Sequence, residues 1–202
     1  SWTTSCSDPL VTTSRLKLLS VGGASGAGLT AVWSAMTPFV AGSALLAWLS
    51  RRPLRRPGSH GFYRFFAWEC ILGLAVLNHT PWGSARLSPL QLVSWLLLGL
   101  SALLVAVGAV TLVRRGGAGA RRDDAALYEW EKTHSLVTTG IFAHIRHPMY
   151  ASLLALTWGL FFQLPNWPAA GIAAVGSALL YVTARRDEGE CLAHFGPAYA
   201  DY

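Results

Sequence analysis

The stretch LSPLQLVSWLLLGLSALLVAVGAVTLV, residues 87–113, contains no charged side chain and decides the class of fold. A helix needs about 20 consecutive apolar residues to cross the hydrocarbon core of a bilayer, and this stretch is longer than that. It therefore predicts a transmembrane helix, and with it an integral membrane protein.

The composition of the whole chain agrees with a membrane protein. Of its 202 residues, 52% are hydrophobic and 13% are charged, whereas soluble domains carry about 25% charged residues. The net charge of +6 comes almost wholly from arginines that flank apolar runs. This placement is typical of topology signals and not of a nucleic-acid surface, so we expect no nucleic-acid partner.

Four further apolar segments accompany the first, at residues 31–50, 62–82, 148–163 and 167–184. The last two are separated only by the turn sequence QLPNWP, residues 163–168. The sequence thus predicts an all-α, polytopic membrane protein with about five transmembrane helices and a C-terminal helical hairpin. The expected division is a set of N-terminal transmembrane helices, 1–113, and a C-terminal region, 114–202, that comprises a cytoplasmic loop, the helical hairpin and the C-terminal segment.

Arginine clusters predict the orientation of these helices. RRPLRR (51–56) and RRGGAGARR (114–122) each hold four arginines, and such clusters favour the cytoplasmic side. The hairpin would return the C-terminus to that side, so the polar segments 114–147 and 185–202 gather there. An arginine- and alanine-rich, lysine-poor composition indicates a bacterial inner membrane as the location.

The segment THSLVTTGIFAHIRHPMY, residues 133–150, combines several groups suited to ligand binding. Gly140 permits a turn or a close backbone approach, and Pro148 suits the first turn of a helix. Arg146 and His147 directly precede that helix, whose free N–H groups favour a carboxylate or phosphate. Taken alone, Arg146 is equally well explained as an interfacial anchor.

The second polar segment, ARRDEGECLAHFGPAYADY, covers residues 184–202. Arg185 and Glu188 are three positions apart and share a face if the helix continues. By itself this is the pattern of a solvated, charge-paired helix end. The short hairpin, however, predicts that residues 146–150 meet residues 183–188 at the membrane surface.

Together these motifs resemble the isoprenylcysteine carboxyl methyltransferase family of integral membrane enzymes. The resemblance covers about residues 130–202, and Ser152 stands where the family usually has glycine. The matching positions, in order along the chain, are Leu136, Val137, Gly140, Phe142, Arg146, His147, Pro148, Tyr150, Asp187, Glu188, Phe195, Gly196, Tyr199 and Tyr202.

The resemblance implies S-adenosylmethionine as the cofactor, bound in a cytoplasm-facing pocket beneath the hairpin. The three cysteines lack the spacing of metal ligands, and we expect no metal site. The residues that the resemblance assigns to the cofactor are His134, Ser135, Leu136, Val137, Gly140, Phe142, His147, Pro148, Tyr150 and Glu188.

The implied reaction transfers a methyl group to a lipophilic or prenylated acceptor, such as an isoprenylcysteine carboxylate, drawn from the membrane lipid. Arg185 is the nearest match to the arginine that holds the substrate carboxylate, although Arg186 beside it is not distinguished. An amine or thiol acceptor would need a base, for which His147 or His144 is the candidate.

Alternatives to this reaction stay open at the level of sequence. The acceptor could instead be a phospholipid amine or a small thiol. A membrane reductase with a nicotinamide cofactor is a second reading, because sterol reductases share a related C-terminal pattern. A non-enzymatic membrane component is a third, since Arg64 and Glu69 lie in an apolar segment and ionisable groups in spans are often functional.

Overall fold

The computed structural model describes residues 36–79, 88–116 and 135–202. These ranges are largely helical and contain no strand, which confirms the all-α class. The elements are α1 (Met36–Leu49), α2 (Arg51–Leu54), α3 (His60–Leu77), α4 (Pro89–Arg115), a 3-10 turn (Gly140–Ala143), α5 (Pro148–Phe161), α6 (Trp167–Phe195) and α7 (Pro197–Ala200).

Each of the five predicted apolar segments contains a helix, but the helices differ in their capacity to cross a bilayer. Judged by length and composition, α4 and α6 are long and apolar enough to do so, whereas α1 and α5 are shorter apolar helices. Five membrane spans therefore stay a prediction, as does a hairpin above a cytoplasmic pocket.

Helix α3 ends at Leu77, before the predicted end of its apolar segment at residue 82. The cause is Asn78, whose backbone N–H donates to Leu74 O and whose side-chain amide donates to Leu160 O at 2.8 Å. A side chain that binds a carbonyl of a neighbouring helix fixes the end of α3 against α5.

Helices α3 and α6 pack against each other along faces whose buried positions alternate by three and four residues, the spacing of one helical face. The contact is close because α6 carries small residues there; a Cβ on Gly176 would lie 3.2 Å from Cys70 Cβ. Small residues let membrane helices approach closely. The buried positions with this spacing are His60, Arg64, Ala67, Ile71 and Leu74 on α3, where Gly61 is buried as well, and Ala169, Ala173, Gly176, Leu180 and Thr183 on α6.

Helices α4 and α5 also meet at a glycine. A Cβ on Gly159 would lie 2.9 Å from Leu98 Cδ2 and 3.2 Å from the Leu98 backbone nitrogen. The Ser94 hydroxyl donates to Gly159 O at 2.7 Å across the same contact. Close backbone approach and an interhelical hydrogen bond thus fix how α5 lies on α4.

A buried polar cluster joins these two helices at the end that lies away from the start of α5. Gln91 Nε2 donates to Gln163 Oε1 at 2.5 Å, and Gln163 Nε2 donates to Ser94 Oγ at 2.6 Å. All three residues are buried, and their polar groups satisfy one another as buried polar groups must.

The outer face of α4 is apolar and exposed. Large side chains recur along it at helical spacing, and Leu96 is 73% exposed. An apolar surface of this extent is rare on soluble proteins and is of the kind that lipid tails cover. The exposed positions include Leu92, Leu96, Leu100, Leu103, Val107 and Val110.

Candidate active site

A cavity, partly open to solvent, lies where the end of α4, the 3-10 turn, the start of α5 and the polar end of α6 meet. Small-molecule sites combine apolar walls with a few polar groups. The apolar lining is Leu112, Leu136, Val137, Phe142, Pro148, Met149 and Phe195, and the polar lining is Arg146, His147, Tyr150, Asp187, Cys191, Tyr199 and Tyr202.

Local sequence explains the entry into this cavity. Gly140 opens the 3-10 turn with φ +69°, a conformation that favours glycine. The turn buries Phe142, whose carbonyl accepts a hydrogen bond from the Tyr202 hydroxyl. His147 then caps α5, and Pro148 occupies its first turn, as the sequence predicts.

His147 lies between two carboxylates of α6. Its Nδ1 is 3.7 Å from Asp187 Oδ2, and its Nε2 is 3.5 Å from Glu188 Oε1. The imidazole ring also lies beside the Tyr150 ring, with centroids 5.4 Å apart. The predicted meeting of residues 146–150 with the polar end of α6 is therefore present in the structure.

Asp187 is the polar centre of the cavity wall. Its Oδ2 accepts a hydrogen bond from the Tyr150 hydroxyl at 3.2 Å, and its Oδ1 lies 3.7 Å from Cys191 Sγ. Through this carboxylate, the wall offers negative charge to a cationic ligand group.

Arg146 supplies the opposing positive charge. Its guanidinium carbon lies 5.5 Å from the centroid of the Tyr202 ring, within the range of cation–π attraction. Tyr202 in turn meets the Tyr199 ring edge-on, with centroids 6.1 Å apart. The C-terminal tyrosines thus position a cation at the rim of the cavity.

Tyr199 carries a buried hydroxyl that has no hydrogen-bond partner among the described residues, and the residue is only 8% exposed. Burial raises the pKa of this phenol, and the negative groups of Cys191, Asp187 and Glu188 raise it further, against an opposing effect of Arg146. The hydroxyl therefore stays a neutral donor. Because an unpaired buried donor is costly, it is suited to a ligand oxygen or nitrogen.

A second, more open cavity adjoins the first and shares Arg146 and Tyr199 with it. Arg185 and Glu188 line it, joined by an ion pair of 2.8 Å, so the shared helix face that their spacing predicts is confirmed. Arg186 points elsewhere, since its guanidinium carbon lies 6.0 Å from the Tyr63 ring centroid on α3. Of the two adjacent arginines, Arg185 is the one beside the cavities.

The residues predicted for the site fall into three groups. Six of them line the first cavity, and Arg185 and Glu188 line the second. Ser135, Gly140 and His144 do not line either cavity; Ser135 Oγ instead donates to Gly116 O at 3.4 Å. His134 lies outside the described residues. The six are Leu136, Val137, Phe142, His147, Pro148 and Tyr150.

Several lining residues had no role assigned from sequence. Asp187, Cys191 and Phe195 recur every four residues along α6 and line one cavity; this helical period was visible in the sequence and could have identified them. Leu112 on α4 gave no such signal, because nothing local predicts that the end of α4 packs beside the 3-10 turn.

Comparison with known proteins finds two matches. Residues 100–196 match a family described as phospholipid methyltransferase. The cobalt-zinc-cadmium resistance protein CzcN of Cupriavidus metallidurans is 29% identical over 133 residues, which cover 65% of this chain and 54% of that protein. The matched part thus spans about half the length of this relative. No solved structure matches the chain significantly.

Proposed function

We propose that the protein is a membrane methyltransferase, because residues 100–196 match the phospholipid methyltransferase family and the motifs resemble the integral-membrane isoprenylcysteine carboxyl methyltransferase family. The protein moves a methyl group from S-adenosylmethionine to a lipophilic acceptor, such as an isoprenylcysteine carboxylate. Methyl transfer in a membrane is the general activity that the family supports.

The observation that carries the proposal is the convergence of Arg146, His147, Asp187 and Tyr199 on one partly apolar cavity, with Glu188 beside His147 in the adjoining cavity. S-adenosylmethionine carries an ammonium, a carboxylate, a sulfonium and a purine. The donor set suits each of these: carboxylates for the ammonium, Arg146 for the carboxylate, and aromatic and apolar walls for the rest.

In this proposal the chain binds and orients its ligand. Leu136, Val137, Phe142 and Pro148 enclose the apolar and ring portions, together with His147 and Tyr150. Glu188 pairs with the ammonium or with ribose hydroxyls. The cofactor supplies an activated methyl group, so the protein needs no covalent nucleophile. Its task is alignment and the exclusion of water, which accelerate a reaction by holding its partners in a near-attack geometry.

The second cavity suits the head group of the acceptor. Arg185 and Arg146 line it, and a guanidinium binds a carboxylate or phosphate through paired hydrogen bonds. A carboxylate acceptor is already ionised and needs only orientation, which gives Arg185 the leading role. A phospholipid amine or a thiol would instead lose a proton, and His147 is the base within reach of the cavity.

We further propose that both cavities open toward the cytoplasm of a bacterial inner membrane. The arginine clusters that flank the apolar segments support this orientation. A water-soluble cofactor would then enter from the cytoplasm, and a lipophilic acceptor would enter from the bilayer. The division into N-terminal transmembrane helices and a catalytic region from residue 114 is part of the same proposal.

The test is calorimetric titration of detergent-purified protein with S-adenosylhomocysteine. We expect micromolar binding that His147→Ala weakens by about tenfold, because the ring lines the cavity between Asp187 and Glu188 and a lost hydrogen bond to the ligand costs about 0.5–1.5 kcal/mol. His79→Ala is the matched control, since His79 is exposed and follows the far end of α3.

Two results would overturn the proposal. Folded wild-type protein that binds NADPH and not S-adenosylhomocysteine would favour the reductase. Equal affinity in wild type and His147→Ala would place the ligand elsewhere. If binding behaves as expected, methylation assays with prenylcysteine, phospholipid amine and thiol acceptors, each with Arg185→Ala alongside, identify the acceptor class.

A further inference from the structure

His60 is completely buried at the first position of α3 and contacts the polar end of α6. Its Nδ1 lies 2.6 Å from Glu190 Oε2, and its backbone N–H donates to Glu190 Oε1 at 3.0 Å. The same ring nitrogen is 3.9 Å from Asp187 Oδ1. His60 thus binds both oxygens of the Glu190 carboxylate and lies close to a second carboxylate, that of Asp187.

The contact between His60 and Glu190 matters because of the order in which the acidic residues are arranged around α6. Successive residues of a helix are rotated by about 100°, so Glu190 and Glu188 lie on opposite sides of Asp187. Glu190 faces His60, Asp187 contacts Tyr150, and Glu188 approaches His147. A rotation of this part of α6 would move all three carboxylates together.

We propose that His60 is a positioning residue for the cavity, and this inference rests on the proposed methyltransferase function. By holding Glu190, His60 fixes the rotation of the polar end of α6, and with it the direction in which Asp187 and Glu188 face the ligand. Small displacements of groups around a reacting centre cost about a hundredfold in rate per ångström. His60 lies outside the residues that match the family, so the N-terminal half of the chain contributes to the site.

A second contact between the same two helices supports this arrangement. The Arg186 guanidinium carbon lies 6.0 Å from the Tyr63 ring centroid, directly beside the acidic residues and within the first turn of α3. The start of α3 therefore contacts α6 on both sides of Asp187 along the chain, through Arg186 and Glu190. Such a pair of contacts opposes rotation better than either contact alone.

A metal site is the competing explanation, since ligand atoms of His60, Asp187 and Glu190 all lie within 4.8 Å of one another. Two ligands of a tetrahedral zinc ion, with bonds of about 2.0–2.2 Å, lie about 3.3 Å apart. The separation of 2.6 Å between His60 Nδ1 and Glu190 Oε2 is instead that of a charge-assisted hydrogen bond. The geometry therefore favours direct contact of the two side chains.

The experiment compares wild type with His60→Ala, His60→Gln and His60→Asn by titration with S-adenosylhomocysteine and by methyl-transfer kinetics. The amide nitrogen of asparagine can occupy the place of Nδ1 and donate to Glu190, whereas that of glutamine reaches the place of Nε2. We expect the affinity to fall about tenfold in His60→Ala and His60→Gln and to stay within about threefold of wild type in His60→Asn.

Three controls make the result specific. His79→Ala tests the loss of an exposed histidine that follows the same helix. Glu190→Ala removes the partner and carries the test if His60→Ala does not fold. Titration with and without EDTA separates a hydrogen bond from a metal site, because only the latter responds to chelation.

The outcomes distinguish this inference from the proposed function. If wild type binds no S-adenosylhomocysteine, both are wrong. If wild type binds but the folded His60→Ala protein binds equally well and differs only in stability, the role of His60 is structural and this inference alone is wrong. It is also wrong if His60→Asn is as weak as His60→Ala, or if EDTA lowers wild-type affinity to the level of the variants.

Discussion

Among single residues, Tyr199 is notable for a buried polar group that lacks a partner among the described residues. Tyr199 lines both cavities, and its hydroxyl is buried and has no hydrogen-bond partner in the described part of the chain. A buried donor without a partner lowers the stability of the free protein. We expect this hydroxyl to gain a partner when a ligand is bound, and so to contribute to binding.

Replacement of Tyr199 by phenylalanine should therefore change stability and binding in opposite directions. We expect Tyr199→Phe to melt at the same temperature as wild type or higher, and kcat/KM for methyl transfer to fall about threefold to tenfold. Because burial and nearby negative groups raise the pKa of Tyr199, above its usual value of about 10, the loss should be the same between about pH 6 and 9.

Differential scanning fluorimetry and steady-state kinetics at several pH values measure both effects. Tyr181→Phe is the matched control, because Tyr181 lies on α6 and is exposed. A Tyr199→Phe protein with unchanged kcat/KM and unchanged affinity for S-adenosylhomocysteine would show that the hydroxyl makes no contact with either ligand.

At the scale of elements, the contact between α4 and α5 determines where the cavity can form, because α5 begins at the cavity and α4 ends there. The two helices approach most closely at Gly159, where an added Cβ would meet Leu98. Packing of this closeness does not tolerate added volume without displacing a helix.

Gly159→Ala should for this reason destabilise the protein. Overpacking costs about 1–3 kcal/mol, which for a chain of this length lowers the melting temperature by about 2–10 °C. Gly99→Ala is the matched control on α4, since a Cβ there meets nothing within 4 Å and alanine has the better helix propensity. Thermal unfolding in one detergent compares the two variants, and equal melting temperatures would contradict the importance of this contact.

The elements also show how far sequence alone could predict the site. A connection of a few residues forces α5 and α6 to be neighbours, which is why the approach of His147 to Asp187 and Glu188 could be predicted. His60 and Glu190 are 130 positions apart, and their pairing depends on the packing of α3 against α6. Local patterns carry no information on which face of α3 meets which face of α6.

At the scale of the whole molecule, the positions of the cavities and of the arginine clusters predict how the protein is oriented in the membrane. The cavities lie at the start of α5, whereas the buried cluster of Gln91, Ser94 and Gln163 lies at the opposite end of that helix. Arginine clusters flank the cavity end of α4 and precede α3. The positive-inside rule therefore predicts that the cavity end faces the cytoplasm.

Labelling of single cysteines tests this orientation. In a background whose three cysteines are alanine, Arg52→Cys and Ala200→Cys should react with a membrane-impermeant maleimide only after the inner membrane is opened. Leu164→Cys, between α5 and α6, should react in spheroplasts with an intact membrane. All three positions are exposed on the surface of the protein, so a maleimide can reach each of them unless the membrane blocks it. The reverse labelling pattern would show that the protein has the opposite orientation.

The two cavities lie side by side, since Arg146 and Tyr199 line both. A bisubstrate compound, in which a nucleoside is joined through a short linker to an apolar chain with an acidic head, could then occupy both at once. Tethering makes the second binding event intramolecular, at an effective concentration in the millimolar range for a short linker. Such a compound would be selective for this protein over enzymes that bind only one of its halves.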